Sequence, residues 1–186
     1  LKEKVEGIPY MRNRFEGAFA PDEAGTRYEI IEALAILFDI EKTGKKCEFT
    51  DVDKKYKENV ELFFGADIIA GYPDGTFGGE KGITRAEFVK ILYVMLKLED
   101  AQSSDETFSD INGHWGEKYI KGFVKEGYIS GYPDGTFKPD NNITRAEIVT
   151  IINRIIKAEA KDTLTANDVP DKHWAYEEIK KAALEN

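Results

Sequence analysis

A Thr-Arg-x-Glu motif occurs three times in the chain, at 26–29, 84–87 and 144–147. The spacing of its threonine and glutamate is that of a capping box, in which both side chains exchange hydrogen bonds with backbone N–H groups at the start of a helix. We therefore assign a structural capping role to the threonine and glutamate of each copy: Thr26, Glu29, Thr84, Glu87, Thr144 and Glu147.

The arginines of the motif, Arg27, Arg85 and Arg145, are not needed for capping. They are predicted in the first turn of a helix, where the positive end of the helix dipole disfavours a cation. Two explanations are equally compatible with the spacing. One is an anion held jointly by the guanidinium group and by free N–H groups of the helix start. The other is a structural ion pair with an aspartate of the adjoining repeat, such as Asp51 or Asp110.

A second motif, Gly-Tyr-Pro-Asp-Gly-Thr-Phe, occurs at 71–77 and again at 131–137. Its proline and glycines predict a tight turn, and turn formation is the stronger explanation for the motif. A ligand is the weaker one, because glycines permit close approach and tyrosines offer a face to a sugar ring. The residues concerned are Gly71, Gly131, Tyr72 and Tyr132.

The two tryptophans, Trp115 and Trp174, open matching predicted helices and each follows a histidine, His114 or His173. Core packing is the default interpretation for these tryptophans, and stacking on a saccharide is the alternative. The histidines follow the repeat rather than forming a catalytic pair, and Cys47 has no histidine near it in the sequence. We therefore expect no catalytic residue, no cofactor and no bound metal.

The composition excludes several classes of partner. The formal charge is −9 at pH 7, whereas a nucleic-acid binder needs a basic face, and a membrane surface is disfavoured for the same reason. No run of about 18 apolar residues predicts a membrane span. Residues 1–7 lack the apolar stretch of a signal peptide, so a secreted parent would be represented here by a processed or excised piece.

The elements that must position these residues form an internal repeat. Both motifs recur with an offset of 60 residues, and residues 19–29 align with residues 137–147 as a weaker first copy. A head segment precedes copies two and three at Phe49 and Phe108. A third head begins at Asp168, after the last copy. The last head is expected to supply what the first copy lacks.

Apolar residues at helical spacing predict two helices in each copy and a mainly all-α fold. A single pair of helices cannot cover its own apolar stripe, so the copies should share one core. We predict a single module over 1–186 with repeats at 49–98 and 108–158. The first repeat, 8–40, is completed by the head at 168–186.

In its heads, its turns and its Ile-Thr-Arg-Ala-Glu segments, the chain closely resembles the S-layer homology (SLH) family. The resemblance covers nearly the whole chain. It implies three helix-loop-helix repeats in a pseudo-threefold arrangement around a central three-helix bundle. It also implies non-covalent binding to secondary cell-wall polysaccharide, a place outside the cell at the bacterial surface or S-layer, and no enzymatic activity.

The resemblance further implies an anionic ligand, a pyruvate ketal on the terminal sugar, held in grooves between repeats. The residues that it assigns to ligand binding are Arg27, Arg85 and Arg145, assisted by Gly71, Gly131, Trp115 and Trp174. Copy one departs from the motif at 13–19 and at Gly25, and copy two has Tyr56 where copy three has Trp115. We therefore expect the site that uses Arg145 to be the strongest.

Two alternatives remain open. The chain could be a protein interaction scaffold whose arginines form internal ion pairs, or it could bind modified peptidoglycan. A scaffold predicts no binding to isolated wall material, whereas a peptidoglycan binder predicts binding that survives removal of the secondary polymer.

Overall fold

The computed structural model describes residues 2–3, 9–98, 108–159, 164 and 166–184, and the described chain is mainly helical. The helices among these residues are α1 (Arg27–Leu37), α2 (Lys57–Gly65), α3 (Arg85–Leu96), α4 (Glu117–Lys125), α5 (Arg145–Ile156) and α6 (Tyr176–Ala182). The strands are β1 (Lys2–Glu3), β2 (Met11–Arg12), β3 (Phe38–Asp39) and β4 (Ala183–Leu184). The prediction of a mainly all-α fold is confirmed. The predicted boundaries at residues 8 and 186 lie outside the described residues.

Helices α1, α3 and α5 each begin with a complete capping box. In α3, the backbone N–H of Glu87 donates to the hydroxyl of Thr84 over 3.2 Å, and the N–H of Thr84 donates to the Glu87 carboxylate over 2.9 Å. The same two bonds occur at the starts of α1 and α5. The start of each helix is therefore determined by residues only three positions apart.

The remaining helices, α2, α4 and α6, follow the head segments and pack against the capped ones. The pairs are α1 with α2, α3 with α4, and α5 with α6. In the second pair, Gly122 of α4 lies against the ring of Tyr93, and a methyl group there would come within 2.5 Å of that ring. Each capped helix is thus covered by the head helix that follows it in the chain, which buries the apolar stripe that a lone helix would expose.

The chain divides into two compact units, one built from 1–82 and 144–186 and the other from 83–143. Helices α1, α2, α5 and α6 belong to the first unit, and α3 and α4 belong to the second. The pseudo-threefold arrangement, the central bundle and the repeat boundaries stay predictions.

Within the first unit, a buried polar network joins the segment before β2 to helices α5 and α6. The Tyr10 hydroxyl donates to the Asn153 side-chain oxygen over 2.7 Å, and the Asn153 amide donates to the Glu178 carboxylate over 2.8 Å. Strand β2 runs parallel to β4, and β1 pairs antiparallel with β3. Burial, together with the charge of Glu178, raises the pKa of Tyr10 well above its ordinary value, so its hydroxyl stays protonated as a donor.

The heads dock on the turns through one aspartate each. Asp110 accepts hydrogen bonds from the backbone N–H groups of Phe137 and Lys138, over 2.8 and 2.7 Å. Asp51 does the same for residues 77 and 78, and Asp168 for residues 19 and 20. In all three copies, the carboxylate of a head aspartate therefore accepts backbone hydrogen bonds from the turn.

Candidate functional site

The three motif arginines lie almost fully buried, with 5% of Arg27, 3% of Arg85 and none of Arg145 exposed. Each guanidinium group packs against the aromatic residue that ends a turn. The guanidinium carbon lies 4.7 Å from the Phe77 ring centre for Arg27, 4.6 Å from Phe137 for Arg85 and 4.5 Å from Phe19 for Arg145. Such contacts stabilise a desolvated cation by up to about 2 kcal/mol.

The backbone N–H groups at the starts of these helices are occupied by the chain itself. In α3, the N–H groups of Arg85 and Ala86 donate to the carbonyls of Asn141 and Pro139, over 2.9 and 3.0 Å. Equivalent bonds cover the starts of α1 and α5. The expectation that free N–H groups would join the arginine in holding an anion is therefore wrong, because a neighbouring loop already takes that place.

The proposed ion pairs with Asp51 and Asp110 are also replaced by other contacts, because both carboxylates accept backbone N–H groups of the turns. Partial burial of Asp51 acts to raise its pKa, but the bonds from Phe77 and Gly78 outweigh that effect and lower the pKa below its ordinary value. The head aspartates thus hold the turns in place.

Arg145 forms an ion pair with Glu29. One terminal nitrogen donates to Glu29 over 2.5 Å, the other donates to the Arg12 carbonyl over 2.6 Å, and Nε donates to the Phe19 carbonyl over 2.8 Å. Burial lowers the pKa of Arg145 to about 10, against the opposing effect of Glu29, so the group remains cationic at neutral pH. An anion could reach it only by displacing these partners, so this geometry does not favour the expectation that the Arg145 site is the strongest.

The turn of copy one places another cation beside Glu29. Arg14 stands where copies two and three have Tyr72 and Tyr132, and it makes a two-point contact with Glu29 over 3.1 and 2.6 Å. Glu29 therefore lies between two guanidinium groups, those of Arg14 and Arg145. The departure of copy one from the motif thus brings a second cation into the site.

The turn glycines are explained by packing. A methyl group on Gly71 would come within 2.1 Å of the Phe49 ring, and one on Gly131 would come equally close to Phe108. Each head phenylalanine therefore requires a glycine opposite it. Later in each turn, Gly75 and Gly135 adopt a positive φ of 83° and 80°, which the tight turn needs and glycine allows.

The tyrosines of the two full turns lie between two cations each. The Tyr72 ring centre lies 5.1 Å from the Arg27 guanidinium carbon and 4.4 Å from the Lys81 ammonium nitrogen. The corresponding distances at Tyr132 are 4.7 Å to Arg85 and 4.3 Å to Lys138. Each tyrosine ring is therefore already in contact with two cationic side chains.

The tryptophans are the largest departure from the default interpretation. Trp115 is 52% exposed and Trp174 is 63% exposed, so the expectation that they pack in the core is wrong. Their places are nevertheless defined. Gly116, next to Trp115, contacts Ala86 in the first turn of α3, since a methyl group there would lie 3.1 Å from the Ala86 side chain. Trp115 therefore lies beside the start of the helix that carries Arg85.

Copy two has no tryptophan in its head. Counted from the helix starts, Tyr56 before α2 corresponds to Gly116 before α4, so Lys55 corresponds to Trp115, whereas counted from the head phenylalanines Tyr56 corresponds to Trp115. The Tyr56 ring stacks on Tyr28 with centres 4.0 Å apart, and Lys55 donates to the Tyr56 hydroxyl over 2.8 Å. The hydrogen bond with Tyr56 raises the pKa of Lys55 above its ordinary value, because it outweighs the opposing effect of burial.

A cleft of about 420 Å³ opens beside this lysine in the first unit, and the motifs did not predict it. Its lining includes Arg12, Asn13, Arg14, Glu32, Lys55 and Tyr56. The signal for it in the sequence is the replacement of Gly-Tyr by Asn-Arg at 13–14, which is part of the departure of copy one from the motif. The cleft combines cations, carboxylates, an amide and an aromatic ring, a mixture suited to a polar ligand such as a sugar.

Among the described residues, no cluster of three or more His, Cys, Asp or Glu side chains has the geometry of a metal site. No helix in the same part of the chain is both long and apolar enough to cross a membrane.

Comparison with known proteins identifies the family to which the chain is related. Residues 48–89 and 107–149 match the S-layer homology domain. The chain is 36% identical to the cellulosome-anchoring protein of Acetivibrio thermocellus over 96% of its length, and 32% identical to cell surface glycoprotein 1 of that organism over 95%. It is 32% identical over 83% to S-layer protein EA1 of Bacillus anthracis.

These relatives are much longer than the region they share with the chain. The chain spans 43% of the cellulosome-anchoring protein, 8% of the glycoprotein and 18% of EA1. The two matched segments lie in copies two and three and include the heads, the turns and the first five residues of helices α3 and α5. The chain belongs to the S-layer homology family.

Proposed function

We propose that the chain anchors a larger protein non-covalently to the bacterial cell wall, at the outer surface of the cell, and is not itself an enzyme. Its ligand is a secondary cell-wall polysaccharide that carries an acidic substituent, such as a pyruvate ketal. Family membership supports the proposal, as do relatives whose names describe anchoring, a cell-surface glycoprotein and an S-layer protein. The small share of each relative that the chain spans fits a module within a longer protein.

The observation that carries the proposal is the exposure of both tryptophans beside the arginine helices. Both indoles present a flat aromatic face to solvent, and such a face suits the apolar face of a sugar ring. Trp115 lies beside the start of α3. Trp174 follows His173, which contacts Asp22, and the next residue, Glu23, accepts the backbone N–H of Arg145. The same platform therefore occurs twice.

The acidic part of the ligand needs cations in a chain whose net charge is −9. Arg12, with 53% of its side chain exposed, and Lys55 supply them at the cleft. We assign contacts with the acidic substituent mainly to these two residues, and only secondarily to Arg27 and Arg85, of which 5% and 3% are exposed. We assign Arg145 a structural role, because it donates to the Phe19 carbonyl and so stabilises the turn of copy one.

Sedimentation with purified wall sacculi tests the proposal. The chain should pellet with intact sacculi and remain in the supernatant once the secondary polymer is extracted. Trp115→Ala combined with Trp174→Ala should abolish pelleting. Phe15→Ala is the matched control, because Phe15 is equally exposed, at 62%, but lies at the tip of a turn.

The outcome separates the alternatives. Failure to pellet with intact sacculi would exclude anchoring and favour a protein interaction scaffold, whereas pelleting that survives extraction would identify peptidoglycan as the ligand. Calorimetric titration with wall fragments that carry or lack the acidic group then tests the charge. Arg12→Ala and Lys55→Ala should weaken binding only to the acidic fragments, and Lys57→Ala, on the first residue of α2, is the control.

A further inference from the structure

The two histidines that precede the tryptophans make the same set of contacts in separate copies. His114 Nδ1 accepts the backbone N–H of Gly116 over 3.0 Å, and its Nε2 lies 3.2 Å from an Asp140 carboxylate oxygen. His173 Nδ1 accepts the N–H of Ala175 over 3.1 Å, and its Nε2 lies 3.5 Å from Asp22. Repetition of this geometry indicates a common role.

The hydrogen bonds determine the form of the ring. Because Nδ1 accepts a backbone N–H, the proton of a neutral imidazole is on Nε2, where it donates to the aspartate. The histidine side chains are only 14% and 11% exposed, although the tryptophans that follow them stand in solvent. Each imidazole is thus held by a hydrogen bond at both nitrogens, and it lies next to an exposed indole.

Each indole ring packs against the imidazole ring that precedes it in the chain. The ring centres of His114 and Trp115 are 5.3 Å apart with an interplanar angle of 37°, and those of His173 and Trp174 are 5.8 Å apart at 29°. Tyr119, one turn further along α4, contacts Trp115 edge-on at 6.4 Å. These contacts restrict the orientations open to an otherwise exposed side chain.

We propose that His114 with Asp140, and His173 with Asp22, are positioning pairs that hold the tryptophans ready for a sugar ring. The role of the tryptophans as platforms rests on the proposed function. Copy two is consistent with the assignment, since its head at 49–56 contains neither a tryptophan nor a histidine. There an aspartate caps the head instead, with Asp53 accepting the N–H of Lys55 over 2.7 Å. Histidine and tryptophan are present together or absent together.

Intrinsic fluorescence tests the pairing, because the chain contains only two tryptophans. In a Trp174→Phe background, Trp115 is the single reporter. His114→Ala and Asp140→Ala should lower its fluorescence anisotropy and raise its accessibility to acrylamide. They should weaken sacculus binding by about threefold to tenfold, the range expected for one lost hydrogen bond. His114→Asn, whose amide oxygen can still accept the Gly116 N–H, separates helix capping from contact with Asp140.

The control is Glu126→Gln, which changes an exposed carboxylate at the far end of α4 and should leave every readout unchanged. Unchanged anisotropy in both His114→Ala and Asp140→Ala would overturn the proposal, as would full rescue of the reporter by His114→Asn together with no effect of Asp140→Ala. If the variants lower the anisotropy but the unsubstituted chain does not bind sacculi, the pairing is supported and only the proposed function is refuted. Because the contact at Asp22 is longer, the reciprocal test on His173 should give the smaller effect.

Discussion

Removal of the buried guanidinium group in Arg145→Ala should destabilise the first unit far more than it affects a ligand. The side chain has no exposed surface and donates to two carbonyl oxygens and one carboxylate. Breaking a buried ion pair by deleting one partner costs about 3–5 kcal/mol. Glu29 would retain Arg14 and the N–H of Thr26, which places the expected loss in the lower part of that range, at about 3–4 kcal/mol.

That loss corresponds to a fall in Tm of roughly 6–16 °C for a chain of this size. Urea unfolding followed by far-UV circular dichroism measures the free energy, and sacculus binding is compared at a temperature where both proteins are folded. Arg154→Ala, an exposed arginine on the same helix, is the control and should change stability by less than about 0.5 kcal/mol. Native-like unfolding of Arg145→Ala together with lost wall binding would refute this reasoning, because the guanidinium group would then act on the ligand.

Three further predictions follow from single contacts. Trp174→Ala should weaken sacculus binding while Tm changes by no more than a few degrees, since the indole is 63% exposed; equal losses of stability and binding would contradict this. Gly131→Ala should lower the free energy of unfolding by about 1–3 kcal/mol, because its methyl group would overlap the Phe108 ring; an unchanged urea midpoint would disprove that packing. Hydrogen bonds from Thr136 lower the pKa of Asp134, so its contribution to stability is present above about pH 4. It is lost as the pH falls through the lowered pKa. The stability difference between the native chain and Asp134→Asn should therefore shrink in acid, and a constant difference from pH 7 to pH 2 would count against it.

The features that were predicted correctly are local. The capping boxes join residues three positions apart, and the tight turns need a glycine at one defined position, so spacing alone identifies them. Helical periodicity likewise identifies which face of each helix is apolar. It does not identify the element that covers that face.

What only the tertiary structure decided are the contacts between distant parts of the chain. Arg145 meets the Phe19 carbonyl across 126 residues, and the cleft at Arg12 and Lys55 joins a turn to a head. The exposure of Trp115 could not be predicted from the sequence either, because a tryptophan at a helix start has the same spacing whether or not another element covers it. By itself, the sequence determined the repeated helices and turns, whose hydrogen bonds close within a few residues. The partners of the buried arginines and the exposed surface that could meet a ligand depend on how those elements pack.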